Sequence, residues 1–280
     1  MMDFSGWVTI QNNSGATYKD AEIKLIVGDV RRVSAPRMKM SAMGEEMAYV
    51  KERPGSQFAE KEFFEYHLYT LQRPSTVKDN SSKQIELFTP VSEAPLEKTF
   101  VYYGNTDALY YSYGSSAIQD RNYGITTNKK VDIYLEFLNK KENKLGMPLP
   151  AGRIRVYKKD EADGSLEFVG EDRIDHTPKD ERVRIKLGSA FDIVGERKQT
   201  NFQTNYDRNW IRESFEIRVR NHKKEQVTVK VKEILYRWAN WKIEQSSHKF
   251  EKEDARTVCF PVTIKPDGEE VITYTVLYTW

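Results

Sequence analysis

The stretch Phe215-Glu216-Ile217-Arg218-Val219, a polar break over Asn221–Glu225, and then Val227-Thr228-Val229-Lys230-Val231 decides the fold. Apolar side chains take every second position and charges or Thr take the rest, the two-residue period of a strand with one buried and one wet face. A helix burying one face would space them three and four apart. The same period runs outward in both directions. Upstream, Val131, Ile133, Leu135 and Phe137 form one stripe, and Val183, Ile185 and Leu187 alternate with Arg182, Arg184 and Lys186. Ile154 and Val156, then Leu166 and Phe168, flank Asp163-Gly164, which predicts a hairpin because this dipeptide tolerates the positive φ of tight turns. Downstream, Phe260, Val262 and Ile264 lead through Pro266-Asp267-Gly268 to Ile272, Tyr274, Val276 and Tyr278. The polar breaks at 221–225 and 266–268 predict two further hairpins.

The first half carries the same signature less regularly. Trp7, Val8 and Ile10 precede the turn cluster Asn12-Asn13-Ser14-Gly15, and a strand follows over 21–27. Residues 37–59 read as a long connection. Residues 63–71, 84–88 and 99–103 are three more strand candidates, and 104–128 is a polar, Tyr-rich passage. Consecutive strands with short turns and few helical windows predict an all-β protein of tandem antiparallel β-sandwich lobes, the second immunoglobulin-like. The lobes are expected over 1–128, with long loops, and over 129–280.

Composition agrees with this class. An apolar fraction of 39% with 31% charged residues suits strands that are buried on one face only. The 44 basic and 42 acidic residues leave a net charge of +2 and are interspersed, so the one-sided basic stripe that nucleic acid demands is absent from the sequence. No apolar run approaches the ~20 residues of a membrane-spanning helix, so no helical anchor is expected. The single cysteine, Cys259, excludes an internal disulfide. Met1-Met2-Asp3-Phe4-Ser5-Gly6-Trp7 lacks a basic segment ahead of an apolar one, and no signal peptide is read there. The doubled Met just before a strand-like run suggests that any export signal and upstream domain have been trimmed away.

Candidate chemistry is sparse. The histidines His67, His176, His222 and His248 and the lone cysteine show no zinc-ligand spacing, no phosphate-binding loop occurs, and no cofactor is expected. His67 alternates onto a solvated or inter-lobe face, His176 sits in Asp-His-Thr-Pro turn chemistry, and Cys259 lacks an adjacent activating base. Asp160-Glu161-Ala162-Asp163-Gly164 departs from a calcium loop at the third position and reads as a charged hairpin tip. The candidate binding surface is aromatic. Tyr102, Tyr103, Tyr110, Tyr111, Tyr113 and Tyr123 lie among Asn, Asp, Ser and Gly, and Trp238 and Trp241 lie three apart. Such rings present flat apolar faces with polar edges to a sugar or a protein, or else pack a sheet edge. Carboxylates brought together between the lobes would give a hydrolase of cell-wall or capsule polymers, the enzymatic alternative. The final alternation up to Trp280 resembles the last strand of an outer-membrane barrel, a third alternative, although most strands read nearer seven residues than the ~9–11 such a barrel needs.

One longer stretch has a family likeness. Residues 64–77, Phe-Glu-Tyr-His-Leu-Tyr-Thr-Leu-Gln-Arg-Pro-Ser-Thr-Val, with 79–88, Asp-Asn-Ser-Ser-Lys-Gln-Ile-Glu-Leu-Phe, resemble the mucoidy-inhibitor-A-like bacterial envelope proteins, in their carboxy-terminal domain of unknown function. Leu149-Pro150-Ala151-Gly152 ahead of the strand at 153–157, the run Leu187-Gly188-Ser189-Ala190-Phe191-Asp192-Ile193, and the early Asn13-Ser14-Gly15 extend the likeness over nearly the whole chain. These motifs are strand and turn chemistry: Pro150 cannot donate to a ladder, and Gly152 is free in its dihedrals. The resemblance implies an exported bacterial protein of the periplasm or cell envelope, usually with an upstream domain, and carries no activity with it; joined to the strand pattern and the absent catalytic motifs, it leads to the expectation of a non-catalytic module that binds an envelope protein or polysaccharide.

Overall fold

The structure is a computed structural model that describes residues 1–28, 47–48, 57–106, 116–125, 127–205, 207 and 209–280. Among these residues the regular structure is strand, apart from a single 3-10 turn at Lys141–Asn143. Two compact units form, each discontinuous in sequence. The first comprises Met1–Leu96, Phe137–Ile154 and Arg173–Arg184, and the second Glu97–Glu136, Arg155–Asp172 and Ile185–Trp280.

The chain opens with β1 (Met2–Asn12), β2 (Tyr18–Ala21), β3 (Lys24–Val27), β4 (Met47–Ala48), β5 (Phe58–Phe63), β6 (Tyr66–Leu71), β7 (Ser75–Val77) and β8 (Ser81–Ala94). Three small sheets result, ordered β1-β8-β4, β2-β7 and β3-β6-β5. In the last, central β6 buries Leu68, Tyr69 and Leu71, whereas edge strand β5 exposes every residue after Phe58. Asn12, at the end of β1, is buried and donates its amide protons to the carbonyls of Ala16, Val77 and Lys78 at 2.8–3.2 Å, which fixes the turn that follows.

Then come β9 (Glu97–Tyr103), β10 (Lys130–Leu138), β11 (Gly152–Lys159), β12 (Leu166–Ile174), β13 (Arg182–Asn205), β14 (Trp210–Asn221), β15 (Val227–Ile234), β16 (Trp241–Ser246), β17 (Glu251–Lys252), β18 (Thr257–Ile264) and β19 (Glu269–Thr279). Nine of them make one sheet, β16-β19-β14-β13-β10-β9-β15-β18-β17, antiparallel at β16/β19, β19/β14, β14/β13, β10/β9, β15/β18 and β18/β17 and parallel between β9 and β15. Along β14 the expected alternation holds at every position. Ile211, Glu213, Phe215, Ile217 and Val219 are buried while Arg212, Ser214, Glu216, Arg218 and Arg220 are half-exposed. The sheet is sandwich-like: the inner faces of β14 and β19 meet those of β15 and β18, with Tyr274 stacked on Phe215 at 5.3 Å and 5.6 Å from Phe260.

The hairpin at Asp163-Gly164 forms as predicted, pairing β11 with β12. The other two predicted hairpins do not. β14 and β15 are not neighbours, nor are β18 and β19, so residues 222–226 and 265–268 carry the chain from one face of the core to the other. Alternation reports which face of a strand is buried and says nothing of its partner, and a few residues at ~3.3–3.6 Å each span a ~10 Å core as readily as they turn back. Asn221 holds the two crossings together. It is fully buried, and its amide donates to the carbonyls of Glu225 (2.8 Å) and Lys265 (3.0 Å).

Candidate functional site

Two concavities sit within single units. In the first unit, a groove of about 610 Å³ has an apolar floor that includes Phe58, Leu87, Phe88 and Val91. Three of its polar side chains are already engaged. Tyr69 donates to the Pro148 carbonyl at 2.5 Å, Lys144 to the Ser92 carbonyl at 2.9 Å, and Glu60 meets His67 at 2.7 Å.

The second concavity, about 390 Å³, is built differently. On the outer face of the large sheet, Ser214 of β14 lies opposite Thr275 of β19, which lies opposite Gln245 of β16. Thr200 of β13 completes the row. The ladder slips at this level on both sides: Thr200 is the extra residue between Gln199 and Asn201, and Glu244 the extra residue between Ile243 and Gln245. Such bulges bend a strand and re-aim its side chains. The result is a trough running across four strands, about 14 Å at the usual strand spacing. Ser246, Ser247 and Thr273 continue it. Ser214 and Thr275 share a hydrogen bond at 2.8 Å. Each hydroxyl can donate once and accept twice, so the row keeps capacity of both kinds.

A charged pair flanks the row. Arg212, two residues before Ser214 on the same face, holds Glu244 through two bonds at 2.7 and 3.1 Å and lies 5.3 Å over the Trp210 ring. The Arg212 bond keeps the Glu244 carboxyl below its usual range, so the pair is ionised at neutral pH. At the far end, Ser247 Oγ is 2.8 Å from His248 Nδ1, and His248 Nε2 is 3.7 Å from Glu270. Ser247 Oγ also accepts the Thr273 N–H at 2.9 Å.

The aromatic residues singled out in the sequence fall elsewhere. Tyr102 is wholly enclosed, its hydroxyl donating to the Asn128 carbonyl at 2.6 Å and its ring lying across the backbone of Gly195, where a Cβ would sit 2.1 Å from the ring. No ring face is left for a ligand. Tyr103 and Tyr123 come together around buried Tyr236, with the Tyr123 and Tyr236 rings 5.6 Å apart. Trp238 is half-buried against the core; Trp241 donates to the Ala255 carbonyl at 2.9 Å under the Lys252 ammonium. Tyr110, Tyr111 and Tyr113 lie outside the described residues. Cys259 is buried, and burial, with Glu253 nearby, pushes its thiol up to about 11.

What these aromatics surround is a buried ionic network. Arg197 and Glu233 pair at 2.8 Å, and Arg237 and Glu213 at 2.7 Å, all four essentially without solvent contact. Arg197 stacks on Phe215 at 3.8 Å and donates to the Gly124 carbonyl at 3.1 Å. Arg237 donates to the carbonyls of Ile118 and Asp120, and Tyr236 to that of Tyr123. Tyr274 also bonds Glu233. Both guanidiniums therefore fasten segment 116–125 to the sheet, and their carboxylates are held as counter-ions rather than as an acid and base. Neither this network nor the hydroxyl trough was singled out by sequence pattern, since Ser, Thr and Gln one to a strand carry no local signature. No family model, curated protein or solved structure matches the chain.

Proposed function

We propose that this chain is a non-catalytic binding module of the bacterial cell envelope, built as tandem β-sandwich lobes with an immunoglobulin-like second lobe, and that the trough on its large sheet binds polysaccharide. The carrying observation is the transverse row Thr200, Ser214, Thr275 and Gln245, flanked on both sides by bulges. A sugar chain presents hydroxyls that both donate and accept, and hydroxyl and amide side chains match that duality where a charged cleft would not. Twisted strands make the row a shallow, open-ended channel, a shape that admits a polymer in mid-chain. The two face-to-face chain crossings at 222–226 and 265–268 support the immunoglobulin-like reading, because Greek-key sandwiches cross in this way. The resemblance of residues 64–88 to the mucoidy-inhibitor-A-like proteins supports the envelope setting. Charged, polar outward positions on β14 around apolar inward ones argue against the outer-membrane barrel, whose polarity is the reverse.

Affinity electrophoresis of the protein through gels containing capsule, peptidoglycan or other envelope glycans tests this. Retardation by at least one glycan is expected, with loss on Thr275→Arg, which fills the trough from an outward position; mobility unchanged in every gel would overturn the proposal.

A second reading, hydrolysis of such polymers, has one specific observation behind it: the chain Ser247–His248–Glu270 at the end of the trough. A serine hydrogen-bonded to a base is the start of an activated nucleophile, and here the carboxylate on the far side of the base stands 3.7 Å off, longer than a hydrogen bond. Labelling of the native protein by a fluorophosphonate, abolished by Ser247→Ala, would favour it, and an unlabelled protein would remove it.

A further inference from the structure

Residues 155–172, the greater part of the β11–β12 hairpin, belong to the second unit but not to its nine-stranded sheet. The hairpin's two strands pair only with each other among the described residues, and almost every side chain is exposed, on both faces. A two-stranded ribbon in water is marginal by itself. It nevertheless presents Tyr157, Leu166 and Phe168 at 50%, 67% and 55% exposure. Asp160 N–H donates to the Ser165 carbonyl at 2.8 Å, and the Tyr157 and Phe168 rings meet edge-on at 5.7 Å. Together these set Tyr157 opposite Phe168 in a pair that exchanges no backbone bonds. In an antiparallel ladder the backbone groups of Arg155, Tyr157 and Lys159 then point away from β12, into an edge that carries no described partner.

The outer side of β12 is occupied. A Cβ at Gly170 would come within 2.9 Å of the Leu187 carbonyl, and the Asp172 carboxylate accepts the Lys186 N–H at 2.7 Å. Of the ribbon's two strands, β11 offers the open edge among the described residues, and its charge is one-sided. Residues 155–159 read Arg-Val-Tyr-Lys-Lys, whereas 166–172 read Leu-Glu-Phe-Val-Gly-Glu-Asp. A second copy presenting the same edge would set cations against cations, which disfavours self-pairing.

We propose that β11 is a docking edge for an acidic, extended peptide of a partner protein, which adds as a further antiparallel strand to the ribbon. An antiparallel strand places its side chains opposite Lys159, Tyr157 and Arg155 at every second position, so the recognised pattern is acid, any residue, apolar, any residue, acid. The acids face Lys159 and Arg155, whose Nε also holds Glu171 of β12 at 3.3 Å so that its remaining guanidinium N–H groups meet the incoming acid, and the apolar side chain covers Tyr157 beside the exposed Phe168 and Leu166. Backbone bonds supply attachment and the alternating side chains supply choice. This surface is separate from the glycan trough, and either can fail without the other.

The test is fluorescence polarisation of the full chain with two labelled peptides, one carrying Glu-Thr-Val-Thr-Glu and one Lys-Thr-Val-Thr-Lys, each flanked by Thr and Ser. Saturable binding of the Glu peptide, weakening as salt is raised, is expected, with none of the Lys peptide. The double variant Arg155→Glu/Lys159→Glu should weaken the Glu peptide roughly tenfold or more and gain the Lys peptide, because each opposed charge pair changes sign. Tyr157→Pro removes an N–H that faces away from the hairpin's own ladder, so circular dichroism should stay native while binding is lost. Equal binding of the two peptides, binding of neither, or full binding by the Tyr157→Pro protein would overturn the proposal. So would concentration-dependent dimerisation through this edge in sedimentation, which would make a second copy its occupant.

Discussion

Arg237 shows what a single residue does in this core. Its guanidinium is buried beside Glu213 and supplies hydrogen bonds to carbonyls of segment 116–125. Desolvating an ion pair costs several kcal/mol per ion, and the attraction recovers this only while both partners remain. Arg237→Met should therefore cost about 3–5 kcal/mol in urea unfolding, and adding Glu213→Leu should recover a large part by removing the stranded carboxylate. A double variant as unstable as the single one would mean that the carbonyl bonds, rather than the pair, carry the stability. The sequence holds a signal for half of this that its apolar stripes, read alone, pass over. Glu213 falls in step with Ile211 and Phe215, and Glu233 with Val229 and Val231, so a charge on an apolar stripe marks a buried pair; the partner's identity was not legible, because pairing spans 24 and 36 residues. Cys259 makes the complementary case. With its thiol pushed up to about 11 chiefly by burial, a thiol reagent near neutral pH should label it only on unfolding; labelling of the native protein at the rate of a free thiol would place it at the surface.

At the scale of elements, the turns are fixed by buried asparagines. Asn12, Asn139 and Asn221 are each buried and each donates to carbonyls of a neighbouring connection; Asn139 binds those of Met147 (2.7 Å) and Pro178 (2.9 Å) and accepts Gly146 N–H. Asn221 serves both crossings of the sandwich, since its backbone N–H also donates to the Gly268 carbonyl at 2.9 Å. Asn221→Ala should cost about 2–3 kcal/mol by leaving buried carbonyls without donors, while Asn13→Ala, one position from a buried Asn but itself exposed, should change stability by less than about 0.5 kcal/mol. Equal losses at the two sites would mean that the turn sequence matters and the buried bonds do not. Sequence presents Asn12 and Asn13 as one turn cluster, because local pattern carries turn propensity and no depth. The same blindness turned two crossings into expected hairpins, while the Asp163-Gly164 hairpin was readable because its turn is set by its own two residues. The trough belongs with the unreadable features, as it exists only once four strands and two bulges align.

Across the whole molecule, buried phenols make alkaline stability unequal between the two units. Among the described residues, burial holds Tyr236 up at about 12 and raises Tyr102, Tyr274 and Tyr278, all in the second unit, whereas Tyr69 is the raised phenol of the first. Each remains neutral in the folded chain after its unfolded counterpart, near pKa 10, has lost its proton. The unfolded state then binds fewer protons than the native one, so stability is fully present below about pH 10 and falls as pH rises through the folded values. For Tyr236 alone the loss approaches about 2–3 kcal/mol by pH ~12, and the other three phenols deepen it in the same unit. Hydrogen exchange measured from about pH 9 upward, corrected for intrinsic rates, should show protection in β14 and β19 collapsing ahead of protection in β6, with tyrosinate absorbance rising in step with the second unit. Parallel loss in both units, or phenols that titrate near pH 10 before protection changes, would mean that these hydroxyls reach solvent and that the core of the large sheet is not closed around them.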